Sequence, residues 1–388
     1  MRDITRREIF SMAATGLTAA ILHPEFACAD KSRRKDSRIP VLHATDLFRP
    51  HVDPDDHWDL ACVYALAYRG DIDLKGILID YPPEHGKGHN PDIMAVAQMN
   101  LITGLFVPVA VGSALPMKSR NDIQPGVSST DHQGVRMVLD VLEKSPQPVV
   151  INILGSSRDV AIAGKKRPDL FASKCAAIYL NAGAARQPDS GLASKFEYNV
   201  TLDKYAYAAI FDLPCPVYWM PCFEHIESGQ QRSVSEYGTH YRFRQDQILP
   251  HLSDTVQNYF AYMFGRYTDH NWLLYLEGKK DGSLLRQSAS QDRDMWCTAG
   301  FLHAAGYTVS RDGSISPLGR VAGSPIFTFD PIKVRCDDGG ITEWTNDQNS
   351  KNPSAESRAG RFIFHVRDTA NYQSAMTSAM ESLLMSLS

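Results

Sequence analysis

The 388-residue chain predicts an α/β fold: a mostly parallel sheet flanked by helices, with extra helices and a small β hairpin region in its C-terminal part. Three observations support this. Short apolar runs alternate with amphipathic ones between about residues 39 and 222. The short runs are apolar throughout rather than at every second position, as strands covered on both faces must be. Polar or small residues (ATD, LID, LGS, LNAG, MPC) close them, at the carboxyl ends where such sheets bind ligands.

Taken in order, IPVLHAT (39–45) reads as a strand, HWDLACVYALAYRG (57–70) as a helix and LKGILID (74–80) as the second strand. MAVAQMNLITGL (94–105) has helical character, VPVAVGS (107–113) is strand-like, GVRMVLDVLEK (134–144) is a helix and PVVINILGS (148–156) a strand. SRDVAIAGKKRPDL (157–170) and TLDKYAYAAIFDL (201–213) are helices, while CAAIYLNAG (175–183) and CPVYWMPC (215–222) are strands. Further on, helices are expected within 253–278 and 293–306, a hairpin within 323–345 and a closing helix over 369–387. The polar stretch 345–361 reads as a loop.

Composition narrows the function classes. With 43% hydrophobic and 22% charged residues and a formal net charge of -4, the chain lacks the basic excess that attracts phosphate backbones, so nucleic acid is not an expected partner. Arg6 and Arg7 precede SMAATGLTAAIL and then FACAD, the pattern of a twin-arginine export signal cut after Ala29. The expected organisation is a signal peptide over 1–29, a basic linker over 30–39 and a single domain over 40–388, exported to the periplasm or outside the cell. The apolar run is too short for a permanent membrane anchor. Six cysteines remain after the cut, and either disulfides or free buried thiols satisfy the count. Cys215 and Cys222 flank a strand that would hold them about 23 Å apart, beyond disulfide reach.

The chemistry concentrates in ATDLFRPHVDPDDHWDLA (44–61), which carries five aspartates in eighteen residues. Two carboxylates about 4 Å apart repel by roughly 4 kcal/mol at an effective dielectric near 20, so such a cluster needs protons, solvent or a cation. Capping of a helix N-terminus would account for Asp53, Asp55 and Asp56, but not for Asp46. His43, His51, His57, His85 and His89 match no zinc spacing and are expected to support the site or face solvent.

Together, TD…DPDD, VPVAVGSALP, ILGSSRDVAIA, LNAG…FEYNVTLDKYAYAAI and DRDMWCTAGFL, in this order over about residues 40 to 306, resemble the inosine-uridine preferring nucleoside hydrolase family, including its exported relatives. The resemblance implies a nucleoside hydrolase-like, Rossmann-related fold holding one Ca²⁺ that activates water for attack on a ribosyl C–N bond. It makes Asp46 metal ligand and general base, Asp56 a bidentate ligand and Asp55 a ligand for ribose hydroxyls. The chemistry of the residues agrees, since Ca²⁺ takes six to eight hard oxygens. Glu197 and Asn199 of FEYN correspond to the pair that bonds sugar hydroxyls, Asn90 to an asparagine near the ribose, and the backbone carbonyl of Arg158 to a further metal ligand.

At DRDMW (292–296) the family has a His-Asp pair, aspartate on the metal and histidine beside the leaving base. Here Arg293 and Asp294 stand instead, with Asp294 as the expected metal ligand, Asp292 as the alternative register and Arg293 facing substrate. Seven residues, LFRPHVD, separate Asp46 from Pro54, more than the family's usual turn. Trp58, Trp272 and Trp296 are candidates to wall a pocket, Trp296 foremost. The expected activity is calcium-dependent hydrolysis of a nucleoside or related ribosyl compound, a small-molecule substrate. Hydrolysis of another glycoside or sugar conjugate, and an exported sugar-binding protein without turnover, are the alternatives; a homo-oligomer is compatible with the sequence.

Overall fold

The computed structural model describes residues 38–49, 54–82, 90–186, 196–225, 233–265, 269–320, 323–347 and 359–387. The export signal, all of the linker before residue 38, and His51, Asp53, His85 and His89 lie outside the described residues.

Along the chain, β1 (Ile39–Thr45) and a short β2 (Phe48–Arg49) lead to α1 (Asp55–Arg69), β3 (Ile72–Ile79), β4 (Asn90–Pro91) and α2 (Ile93–Thr103). Then come β5 (Val109–Val111), α3 (Gln133–Lys144), β6 (Val149–Ile153), α4 (Arg158–Lys166), α5 (Pro168–Lys174) and β7 (Cys175–Asn181). Helices α6 (Tyr198–Leu202) and α7 (Lys204–Ile210) precede β8 (Val217–Met220). The second half contains β9 (Tyr241–Arg244), α8 (Asp254–Gly265), α9 (Leu274–Glu277), α10 (Gly282–Ala289), β10 (Asp292–Met295) and α11 (Thr298–Ala304). It closes with β11 (Tyr307–Val309), β12 (Ile315–Pro317), β13 (Phe327–Cys336), β14 (Thr342–Asn346), β15 (Arg361–Val366) and α12 (Thr369–Leu384).

Nine strands form one sheet in the order β14-β13-β15-β8-β7-β6-β1-β3-β5. From β15 to β5 every pairing is parallel; the β13 pairings to β14 and β15 are antiparallel. The chain winds outward from β1 through β3 and β5 and then returns to β6 on the other side of β1, so the winding direction switches beside it. That is the point at which a parallel sheet opens a crevice beyond its carboxyl ends.

The core follows from the two-residue period of strands. Val41 of β1 joins one apolar layer with α1, α11 and α12, while Leu42 and Ala44 join another with α3, α4 and α7. The residues from Arg38 onward form one compact unit.

Local chemistry moved several predicted boundaries. The helix expected over 157–170 breaks at Arg167, because Pro168 starts a new helix at its first position. The helix expected over 201–213 is interrupted by Asp203, whose backbone is extended (φ -167°) and whose side chain caps α7 by accepting from the Ala206 N–H at 3.0 Å. The helix expected from Arg293 begins only at Thr298, because residues 292–295 pair antiparallel with β9. His43 is fully buried in β1 and does not face solvent. The six cysteines are free and buried. No helix among the described residues is long and apolar enough to cross a membrane.

Candidate functional site

Three chain segments meet at the carboxyl ends of β1, β3 and β6. Asp46 follows β1 directly and Asp80 follows β3, and the Asp80 N–H donates to the Thr45 carbonyl at 2.9 Å, which sets the two aspartates side by side. After β6 the Leu154 N–H donates to the Ala44 carbonyl at 2.9 Å, bringing Gly155 against both. A Cβ at position 155 would overlap Asp80 Oδ2 and stand 2.9 Å from Asp46 Cβ, so only glycine fits. Helix α1 contributes Asp55 and Asp56 from its first turn, where carboxylates meet the positive end of the helix dipole. Thr45 Oγ1 donates to Asp56 Oδ1 at 2.8 Å, and Asp56 is in hydrogen-bond contact with Asp46.

The electrostatics are those of acids crowded out of water. Burial, then the charges of Asp80 and Asp55, raise the Asp46 carboxyl well above its ordinary range, although part of the residue stays exposed. Burial, then Asp46 and Asp59, do the same to Asp56, and burial dominates at Asp80. One Asp80 oxygen accepts from the Ser156 N–H; the other, Oδ1, is buried with no partner among the described residues. Such a set requires protons or a cation, and its donors are all hard oxygens, the chemistry Ca²⁺ prefers. Among the described residues no three acidic, histidine or cysteine groups already stand as a finished cage, so an ion would have to draw Asp46, Asp56 and Asp80 together.

Glu197 and Asn199 are both buried at this end of the sheet, and both hold backbone. Glu197 caps α6, accepting from the Asn199 and Val200 N–H groups, and takes the Gly183 N–H at 2.8 Å as well. Asn199 Nδ2 donates to the Leu154 carbonyl at 2.5 Å and the Asn181 carbonyl at 3.0 Å, tying the ends of β6 and β7 together. Its Oδ1 takes no part in these bonds.

The side chains at two expected ligand positions are engaged elsewhere. Arg158 opens α4, and its side chain is locked by a 3.0 Å ion pair with Asp203 and by the carbonyls of Ser113, Ala114 and Leu202. Asp294 lies on β10 and accepts from Arg242 Nε at 2.7 Å, with His240 Nε2 at 2.9 Å from the same oxygen. Burial would raise the Asp294 carboxyl, but the His240 and Arg242 bonds outweigh it and hold it below the usual range. Its neighbour Arg293 reaches over the Phe264 ring at 5.9 Å, and Asp292 is exposed.

Trp296 is buried against Phe223 and His240, with ring centroids 6.1 and 5.5 Å away. Cys297 precedes α11, and its thiol donates to Asn181 Oδ1 at 3.2 Å; Cys222 reaches the same oxygen at 3.5 Å. Trp58 stacks on Phe260 at 4.0 Å in the core, and the Trp272 carbonyl takes a bond from Gln98 at 2.8 Å. Asn90 is exposed on β4, paired through its backbone with Arg49. His57 is buried, its Nε2 3.0 Å from Asp92. Sequence reasoning passed over Asp80, His240, Asn181 and Cys297. Asp80 had a signal, since LID closes a predicted strand.

No family model matches the sequence, and no curated protein matches it. Solved structures do. A purine-preferring ribonucleoside hydrolase from Gardnerella vaginalis aligns with a TM-score of 0.50 and 14% identity, over 89% of this chain and 99% of that one. The inosine-uridine preferring nucleoside hydrolase from Bacillus anthracis gives 0.48 and 13% over 90% and 99%, and a plant nucleoside hydrolase 0.47 and 14% over 89% and 99%. Identity at this level speaks to architecture alone. With its parallel sheet wound outward from β1 and its near-complete overlap with the Gardnerella enzyme, this chain has the nucleoside hydrolase fold.

Proposed function

We propose that the protein is an exported, calcium-dependent hydrolase that cleaves the N-glycosidic bond of a nucleoside or related ribosyl compound. The observation that carries this reading is the convergence of Asp46, Asp55, Asp56 and Asp80 beyond the carboxyl ends of β1 and β3. Asp46, Asp56 and Asp80 would hold the ion, in place of the wider set that included Asp294 and the Arg158 carbonyl. Bound Ca²⁺ supplies positive charge that favours ionised carboxylates and lowers the pKa of water beside it.

Asp46 then takes a proton from the attacking water at a carboxylate oxygen. Asp55, whose carboxylate is partly exposed, and Asn199 Oδ1 accept from sugar hydroxyls, orienting the ring as positive charge develops at its anomeric carbon. Glu197 acts indirectly, by fixing Asn199 and Gly183. Trp296 and Phe223 offer flat faces to a leaving group.

The test is release of reducing sugar from a nucleoside panel, with Ca²⁺ and with chelator, for wild type and Asp46→Ala. Loss of at least a hundredfold on substitution and near-complete loss on chelation are expected; equal rates in all four arms would dispose of the reading.

Two observations support a different substrate. Arg293 and Asp294 stand on β10 where a His-Asp pair was sought, so no histidine takes that place, and Glu197 spends its oxygens on backbone. Turnover of other glycosides but not nucleosides would establish that alternative, and calorimetry showing saccharide binding without product would establish a binding protein. Export is checked by sequencing the N-terminus of the mature protein, expected near Asp30.

A further inference from the structure

Away from the aspartate cluster, a cavity of about 550 Å³ opens between α3 and β5, the last strand of the sheet. Its volume lies in the range of small-molecule sites. Helix α3 has two working faces. Val135, Val138 and Leu142 are buried in the core, whereas Arg136, Met137, Asp140, Val141 and Lys144 run as a second stripe along the cavity. The opposite wall is Pro108 and Ala110, with Lys75 of β3 at the rim. A twelve-residue helix is about 18 Å long, so the space is a slot and suits an extended chain better than a compact ring.

Charge selects the head group. Three cations and one carboxylate border the slot. Lys144 is held by Asp140 at 2.9 Å and Lys75 by Asp73, but Arg136 reaches only the Ser129 carbonyl, at 3.5 Å, among the described residues. We propose that this slot binds a free alkyl carboxylate, its chain lying along Met137, Val141 and Ala110 and its head group paired with Arg136. A planar guanidinium matches a carboxylate with two parallel hydrogen bonds.

Calorimetry on the full chain tests it, with decanoate and decyltrimethylammonium as probes, both below their micelle concentrations. Decanoate is expected to bind one to one and the cationic amphiphile not to bind. Arg136→Glu should weaken decanoate at least tenfold, and Ala110→Trp should abolish binding by filling the slot. Position 136 is exposed, so its variant keeps the test decisive should Ala110→Trp fail to fold. Equal binding of both head groups, undiminished binding to Arg136→Glu, or no binding of decanoate would overturn the proposal.

Discussion

His43, whose ring nitrogens find no hydrogen-bond partner among the described residues, and Asp59 are both buried, and they give stability opposite slopes with pH. Burial lifts the Asp59 carboxyl to about 8, offset in part by the Cys297 thiol beside it. Its folded value exceeds its unfolded one, so its contribution is complete below about pH 4 and is lost as pH rises toward 8. Burial lowers His43 to about 3; that contribution is full above about pH 6.5 and is lost as pH falls toward 3. Asp59→Leu should therefore flatten the alkaline side of a urea-midpoint profile and, by removing a buried acid whose charge burial penalises, stabilise the protein by about 1–3 kcal/mol near pH 8. A variant less stable than wild type at pH 8 would contradict this account. Arg158 is the reverse case, a buried charge with every partner in place. Arg158→Ala leaves Asp203 uncompensated beneath α7 and should cost about 3–5 kcal/mol in chemical unfolding; a loss below 1 kcal/mol would mean the pair is dispensable.

At the scale of elements, the turn after β6 governs how closely two acids approach. Because a methyl group at position 155 has no room between Asp46 and Asp80, Gly155→Ala should cost about 1–3 kcal/mol by overpacking and weaken Ca²⁺ binding at least tenfold. Titration calorimetry reading an unchanged affinity would show that the turn plays no part in the site. Element boundaries also mark where sequence reading succeeded. The apolar runs from β1 to β8 were legible because burial on both faces leaves no polar alternation. β10 was read as helix because DRDM carries no two-residue signature; its conformation comes from pairing with β9, some fifty residues earlier in the chain. Asp294 entered the metal set through the family resemblance, and the pairing sets it opposite Arg242.

For the whole molecule, the proposed ion would couple folding to cation binding through the acid cluster. The raised carboxyls of Asp46, Asp56 and Asp80 mean that the metal-free protein should lose stability as pH rises above the ordinary carboxylate range. Ca²⁺ at a hundred times its dissociation constant should restore about 2.7 kcal/mol, since it binds only the folded state. Thermal unfolding at pH 5 and pH 8, with Ca²⁺ and with chelator, measures both; a cation effect absent at pH 8 would count against the site. An exported protein would meet calcium at concentrations that fill even a weak site.

The sequence by itself determined the α/β class, the order along the chain of β1, β3, β5, β6, β7 and β8, the appended hairpin and the acidic end of β1. These depend on side-chain periodicity and local charge, which are written in consecutive residues. Only the tertiary structure decided that Asp80 joins Asp46, that Arg158 turns to Asp203, that Asp294 faces Arg242 and that Cys297 stands before α11. Each of these depends on which distant segment folds beside which, and a buried charge takes the partner that desolvation leaves within reach.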